Sequence, residues 1–84
     1  MDAIADKIKS FIVSEFLDGS TSNVDRHTPL LKTGVIDSIG MFRLFVFLEE
    51  SFTIRVPEED LLLENFETME KIEQYVKARM ANGA

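Results

Sequence analysis

Fifteen Asp and Glu against nine Lys and Arg give this 84-residue chain a formal charge of −6, which repels nucleic acid and anionic membrane surfaces and suits basic protein partners. One domain of that length, residues 1–84, has a modest core and no room for a large buried active site. The absence of cysteine removes disulfides, thiolate metal sites and any thiol nucleophile from the polypeptide, and fits a reducing compartment.

The chain opens Met1-Asp2-Ala3-Ile4-Ala5-Asp6-Lys7, with acids where a secretory signal carries its basic region. Its longest unbroken apolar run, Leu44 to Leu48, is far shorter than the roughly 18 residues of a membrane span. The expectation is a soluble, cytoplasmic monomer that does not insert into membranes. Ile4, Ile8, Phe11, Ile12 and Phe16 recur at the spacing of one helical face, predicting a first helix that ends near Asp18-Gly19. From there to Ile36 the chain is rich in Ser, Thr, Asn, Asp and Gly, and Pro29 restricts Thr28 to extended conformations. A connection of that length needs pins. Val24, Leu30, Leu31 and Val35 supply them, each worth about 1.5 kcal/mol or more when buried. His27, the only histidine, reads as a solvated loop residue with no partner for metal or triad chemistry.

A second helix is expected from Ser38 to about Phe52, with Asp37 as N-cap accepting an orphan backbone N–H at the positive end of the helix dipole. At about 100° per residue, Met41, Leu44, Phe45, Leu48 and Phe52 form one stripe, sufficient for a core. Ile39, Phe42 and Val46 form another, centred roughly 130° away and beside Ser38, while Phe47 lies on neither. Two readings stand for this surplus. The helix is buried nearly all round, with Arg43 and Glu50 marking its wet edge, or the second stripe is the desolvated centre of a partner-docking patch, and both can hold with Phe42 packed inward and Ile39 exposed. Gly40, taken as a glycine in an exposed helix interior, costs about 1 kcal/mol relative to alanine, so Gly40→Ala is expected to stabilise.

Thr53-Ile54-Arg55-Val56 reads as an extended connector. Pro57 followed by Glu58, Glu59 and Asp60 starts a short third helix through Leu63, the acids there being solvated surface that favours the first turn. Thr68 caps a fourth helix through Met69, Ile72, Tyr75, Val76 and Met80, and residues 81–84 fray. With no strand alternation, the fold class is all-α: a small four-helix bundle of three main helices and one short one, with a long first loop. A bundle of this kind does not define function, and an acid and a hydroxyl before an apolar helix are ordinary capping chemistry.

The ordered pattern across the chain adds more. Leu31 and Gly34 precede Val35-Ile36, then Asp37-Ser38-Ile39, an apolar helix ending Leu48-Glu49-Glu50-Ser51-Phe52, the connector Val56-Pro57, and Phe66-Glu67-Thr68-Met69 leading to Ile72 and Tyr75-Val76. From Ile4 to Val76 the chain resembles the acyl and peptidyl carrier proteins that bear a phosphopantetheine arm. That resemblance implies a non-catalytic carrier. Ser38 is then the attachment point for 4′-phosphopantetheine, transferred from coenzyme A by a magnesium-using phosphopantetheinyl transferase, and Asp37 is both helix cap and a transferase recognition residue. Acyl or aminoacyl intermediates travel as thioesters on the borrowed thiol, in fatty acid or in polyketide or nonribosomal peptide biosynthesis. Ile39, Phe42, Val46, Glu49 and Glu50 are the expected partner contacts, for acyl-loading ligases or synthases with basic docking surfaces. The apolar space between helices two and three is where a short or medium acyl chain shelters. Carriers of the primary fatty acid pathway usually place acids where this chain has Gly40 and Arg43, which points to a specialised carrier. No residue is expected to be catalytic or to bind metal. The competing expectation is a bundle that never receives the arm and acts as an adaptor through the exposed stripe of helix two.

Overall fold

The computed structural model describes residues 3–17 and 24–81. Its elements are α1 (Ala3–Phe16), α2 (Ser38–Phe52), a 3₁₀ turn (Glu58–Asp60), α3 (Leu63–Phe66) and α4 (Met69–Ala81), with no strand among the described residues. This is the expected small all-α bundle. The core is continuous: Ile8 and Ile12 of α1, Leu44 and Leu48 of α2, Phe66 of α3, and Ile72 and Val76 of α4 are all fully buried. Helix α1 runs to Phe16, and the expected stop at Asp18-Gly19 lies outside the described residues.

The loop before α2 is pinned as its apolar residues require. Leu30 and Ile36 are buried in the core, and Val24, Leu31 and Val35 pack against it half-buried. Ile36 is thus a stronger pin than three of the four residues expected in that role. Backbone bonding fixes the segment from both sides: Leu30 N–H donates to the Glu67 carbonyl at 2.8 Å, and Ile36 N–H to the Leu30 carbonyl at 3.1 Å. Between them, Thr33 N–H reaches the Pro29 carbonyl and Gly34 N–H the Leu31 carbonyl. Gly34 sits at φ +81°, a left-handed conformation that a side chain makes strained.

Three expectations are corrected. The third helix does not run from Pro57 through Leu63. The 3₁₀ turn stops at Asp60, Leu61 and Leu62 break the helical path, and α3 starts afresh at Leu63. The Asp60 carbonyl explains the break, because it accepts from Leu62 N–H at 2.8 Å and from the Asn65 side-chain amide at 2.9 Å instead of from the fourth residue along. Gly40 is not in an exposed helix interior. It is buried, and a Cβ there meets the Phe16 ring at 2.7 Å, the Asp37 carboxylate at 3.1 Å and Ile36 Cγ2 at 3.2 Å, so glycine is what lets the end of α1 approach the start of α2. Met80, expected to continue the apolar series of α4, is exposed, on a side of the last turn that the core does not reach, although Arg79 beside it donates to the Arg55 carbonyl at 3.1 Å.

The remaining helix signals act as read. Helix α2 begins and ends where its apolar spacing and Asp37 predict. Thr68 Oγ1 accepts from Lys71 N–H at 3.1 Å, capping α4. Phe47, on neither stripe of α2, stacks on Phe11 with ring centroids 4.0 Å apart and thereby joins α2 to α1.

Candidate functional site at the start of helix two

Asp37 holds an extended backbone, and its Oδ1 accepts from Gly40 N–H at 2.7 Å while Met41 N–H closes the first helical bond to the Asp37 carbonyl at 2.8 Å. The cap fixes where the helix starts. Ser38 is therefore the first helical residue, exposed to solvent, beside backbone N–H groups that a helix leaves without internal partners.

The second stripe of α2 lies outside the core. Ile39 is 76% exposed, Phe42 67% and Val46 41%, whereas Met41, Leu44 and Leu48 one face round are buried. Of the two readings of this stripe, burial all round fails, because the space behind it is not filled by another helix. Arg43 and Glu50 are both exposed, and Arg43 reaches Glu15 of α1 at a loose 3.9 Å. Glu49 faces elsewhere: half-buried, its Oε2 accepts from Val56 N–H at 2.9 Å and ties the connector to α2. The five expected contact residues thus divide, with Ile39, Phe42, Val46 and Glu50 on open surface and Glu49 engaged in the fold.

A cleft of about 290 Å³ opens directly beside Ser38. Met41, Phe42 and Phe45 of α2 form one wall, and Leu61, Leu62 and Leu63 the other. Phe66 is its floor, packed at 4.8 Å against Phe45 and at 5.1 Å against Tyr75. The Tyr75 hydroxyl donates to Asp60 Oδ2 at 2.7 Å, so the turn that carries the leucines is anchored to α4. Partial burial, reinforced by that bond to a carboxylate, pushes the Tyr75 phenol above its ordinary range. The leucine wall was missed at the level of sequence, where Leu61 and Leu62 were absorbed into a supposed helix. Three consecutive leucines after an acidic turn, more than one helical face can bury, were the available signal.

The loop histidine, His27, is exposed, with Nδ1 3.4 Å from Glu70 of α4. Neighbouring Arg26 pairs with Glu73 at 3.3 Å, which in turn holds Lys77 at 2.9 Å. Asp25 accepts from the His27 backbone N–H at 2.8 Å, and that bond, with help from the Thr28 hydroxyl, keeps its carboxyl below the usual range. These groups fasten the loop to α4 and stand apart from Ser38. Among the described residues no helix is long and apolar enough to cross a membrane.

Comparison with known proteins places this arrangement. A chain in the crystal structure of an FAD-dependent dehydrogenase superposes with a TM-score of 0.73 at 28% identity, covering 82% of this chain and 97% of that one. The class is thus a small helical module whose fold recurs in that crystal structure. No family model matches the chain. The acyl carrier protein of Borreliella burgdorferi is 30% identical over 78 residues, 93% of this chain and 94% of that protein. The probable acyl carrier protein PigG of a Serratia species is 28% identical over 76 residues, 90% and 87% of the two chains. This chain belongs to the acyl carrier protein family.

Proposed function

We propose that Ser38 is the residue through which this carrier is loaded, and that the chain is not itself an enzyme but holds acyl intermediates for enzymes that act on them in turn. The observation that carries the reading is the exposed hydroxyl at a capped helix start, beside an apolar cleft, in a polypeptide without cysteine. Ser38 Oγ takes the 4′-phosphopantetheine group from coenzyme A, displacing adenosine 3′,5′-bisphosphate at phosphorus. The group supplies the thiol that the polypeptide lacks, on which an acyl thioester is held. The residues present fit it. Asp37 uses the Gly40 N–H, leaving the first N–H groups of α2 and its dipole to favour a phosphodiester on Ser38. Asp37 also gives the phosphopantetheinyl transferase a fixed acid next to the attachment point.

Ile39, Phe42 and Val46 form the apolar centre of the surface that loading and processing enzymes contact, with Glu50 and the acids of the 3₁₀ turn at its rim. Arg43 is exposed on α2 where primary fatty acid carriers usually place an acid, which supports a specialised role. The likeness to a chain in a flavin dehydrogenase crystal makes oxidation of a tethered cargo one of the reactions to assay.

Intact mass after incubation with coenzyme A, magnesium and a broad-specificity phosphopantetheinyl transferase tests the proposal. The wild type gains one phosphopantetheine and Ser38→Ala none. An unmodified wild type would support the adaptor reading instead.

A further inference from the structure

Arg43 is the one cation between Lys32 and Arg55, and it stands on the exposed face of α2. Ile39 lies four residues before it and Val46 three after it, the spacing that makes helix residues neighbours. Its side chain is 63% exposed, and the carboxylate it reaches, that of Glu15 on α1, is 3.9 Å away and itself 47% exposed. That separation is longer than a hydrogen bond, and a solvated pair of this kind contributes little and leaves the charge available to another molecule. Arg26, Lys77 and Arg79 are by contrast committed to the fold: Arg26 pairs with Glu70 and Glu73, Lys77 pairs with Glu73, and Arg79 donates to the Arg55 carbonyl.

The acids of this surface lie further along. Glu50 is exposed seven residues after Arg43, about 10 Å along the helix axis, and Glu58 and Glu59 are exposed on the 3₁₀ turn. A spacing comparable to the Debye length of about 8–10 Å keeps the two signs from cancelling. Helix α2 therefore offers a cation near Ser38 and anions toward its other end, with the apolar patch beside both. Ser38 precedes Arg43 by five residues, about 8 Å along the axis, so an enzyme that reaches the hydroxyl over this face meets the guanidinium. A uniformly basic docking surface sets like charge against it, which penalises the encounter. A carboxylate there gains a planar, two-pronged partner instead. Resting on the carrier reading and on α2 as its docking surface, we propose that Arg43 selects this carrier's partners: an enzyme that fits places an acidic side chain against Arg43, an apolar pocket over Ile39 and Val46 and basic groups only toward Glu50, and enzymes with a uniformly basic docking surface are turned away.

The test is a charge swap across the interface, read as kcat/KM of phosphopantetheinyl transfer. The probes are a transferase with a basic docking surface and variants of it in which each docking-surface arginine in turn is changed to glutamate. The carriers are the wild type, Arg43→Glu and, as a control for net charge, Lys71→Glu on the exposed side of α4, with equal melting temperatures confirmed first. With the basic transferase, Arg43→Glu is expected to raise kcat/KM on the order of fivefold over the wild type, and Lys71→Glu by less than about twofold. With one of the glutamate-bearing transferases the order reverses, and the wild type becomes the better substrate by a similar factor. Both differences shrink in about 0.5 M salt, where charges on a wet rim are screened. Equal kcat/KM for the wild type and Arg43→Glu with every transferase overturns the proposal, and so does an equal gain from Lys71→Glu, which makes the effect one of net charge. Transfer to none of the carriers is a different result, and removes the carrier reading itself.

Discussion

The two apolar faces of α2 are both built of large hydrophobic side chains and meet opposite fates. Met41, Leu44 and Leu48 are buried against α1 and α4, while Ile39, Phe42 and Val46 stand in solvent beside Ser38. Hydrophobic periodicity fixes how many apolar stripes a helix has, and the number of neighbouring elements fixes how many it can bury. In this small bundle only one stripe is covered, and the surplus stays on the surface. Leaving such a patch exposed gains nothing in stability, and its place beside Ser38 is what the proposed docking role rests on.

The largest effect that distinguishes the faces is on stability. Leu44→Ala empties a fully buried site and is expected to cost about 2–5 kcal/mol, a large share of the stability of so small a domain. Phe42→Ala on the other face should change it by no more than about 0.5 kcal/mol. Comparable losses from both, in denaturant melts, would break the comparison.

Gly40 lies at the boundary between the faces. Its replacement by alanine gains about 1 kcal/mol of helix propensity but drives a methyl into the Phe16 ring, the capping carboxylate and Ile36, overpacking that costs about 1–3 kcal/mol. The net expectation is a lower melting temperature, opposite in sign to that drawn from the sequence. A rise would mean that Phe16 yields freely and that the approach of α1 to α2 is loose.

The leucine wall opposite the exposed face depends on Tyr75 holding Asp60. Tyr75→Phe removes that bond and is expected to cost about 1 kcal/mol. Because the phenol is raised above its ordinary value of 10.0, the folded state favours its neutral form. That contribution is complete below pH 10 and is lost as pH rises above it, so alkaline destabilisation should be steeper in the wild type than in Tyr75→Phe. As the only tyrosine, it reports its own titration by phenolate absorbance.

The smallest effect lies at the far end of α2, where Thr53 closes the helix at φ +53°, a conformation that a β-branched residue adopts under strain. Thr53→Gly should stabilise by a few tenths to about 1 kcal/mol, measured by thermal melts, and leave loading at Ser38 unaltered.

Much of this architecture was legible in the sequence because its signals are local. Asp37 and Thr68 cap the helices they precede, and the spacing of Ile8, Ile12, Leu44, Leu48, Ile72 and Val76 marks the core. What escaped depends on contacts that helical periodicity does not encode. Nothing near Gly40 in the chain says that Phe16 will lie against it, and nothing near Asp60 says that its carbonyl will serve Leu62 and Asn65 and so end the helix. The candidate site shows the same division. Asp37-Ser38 could be read from sequence, whereas the exposure of Phe42 and the leucine wall across the cleft appear only when the elements are packed.

The central claim is that the exposed face of α2 serves the chemistry at Ser38. Its most direct test is the kcat/KM of phosphopantetheinyl transfer to the Ile39→Ala/Phe42→Ala double variant. With the melting temperature unchanged, a fall of about tenfold or more is expected if these residues form the desolvated centre of the encounter. Transfer at the wild-type rate would contradict the account.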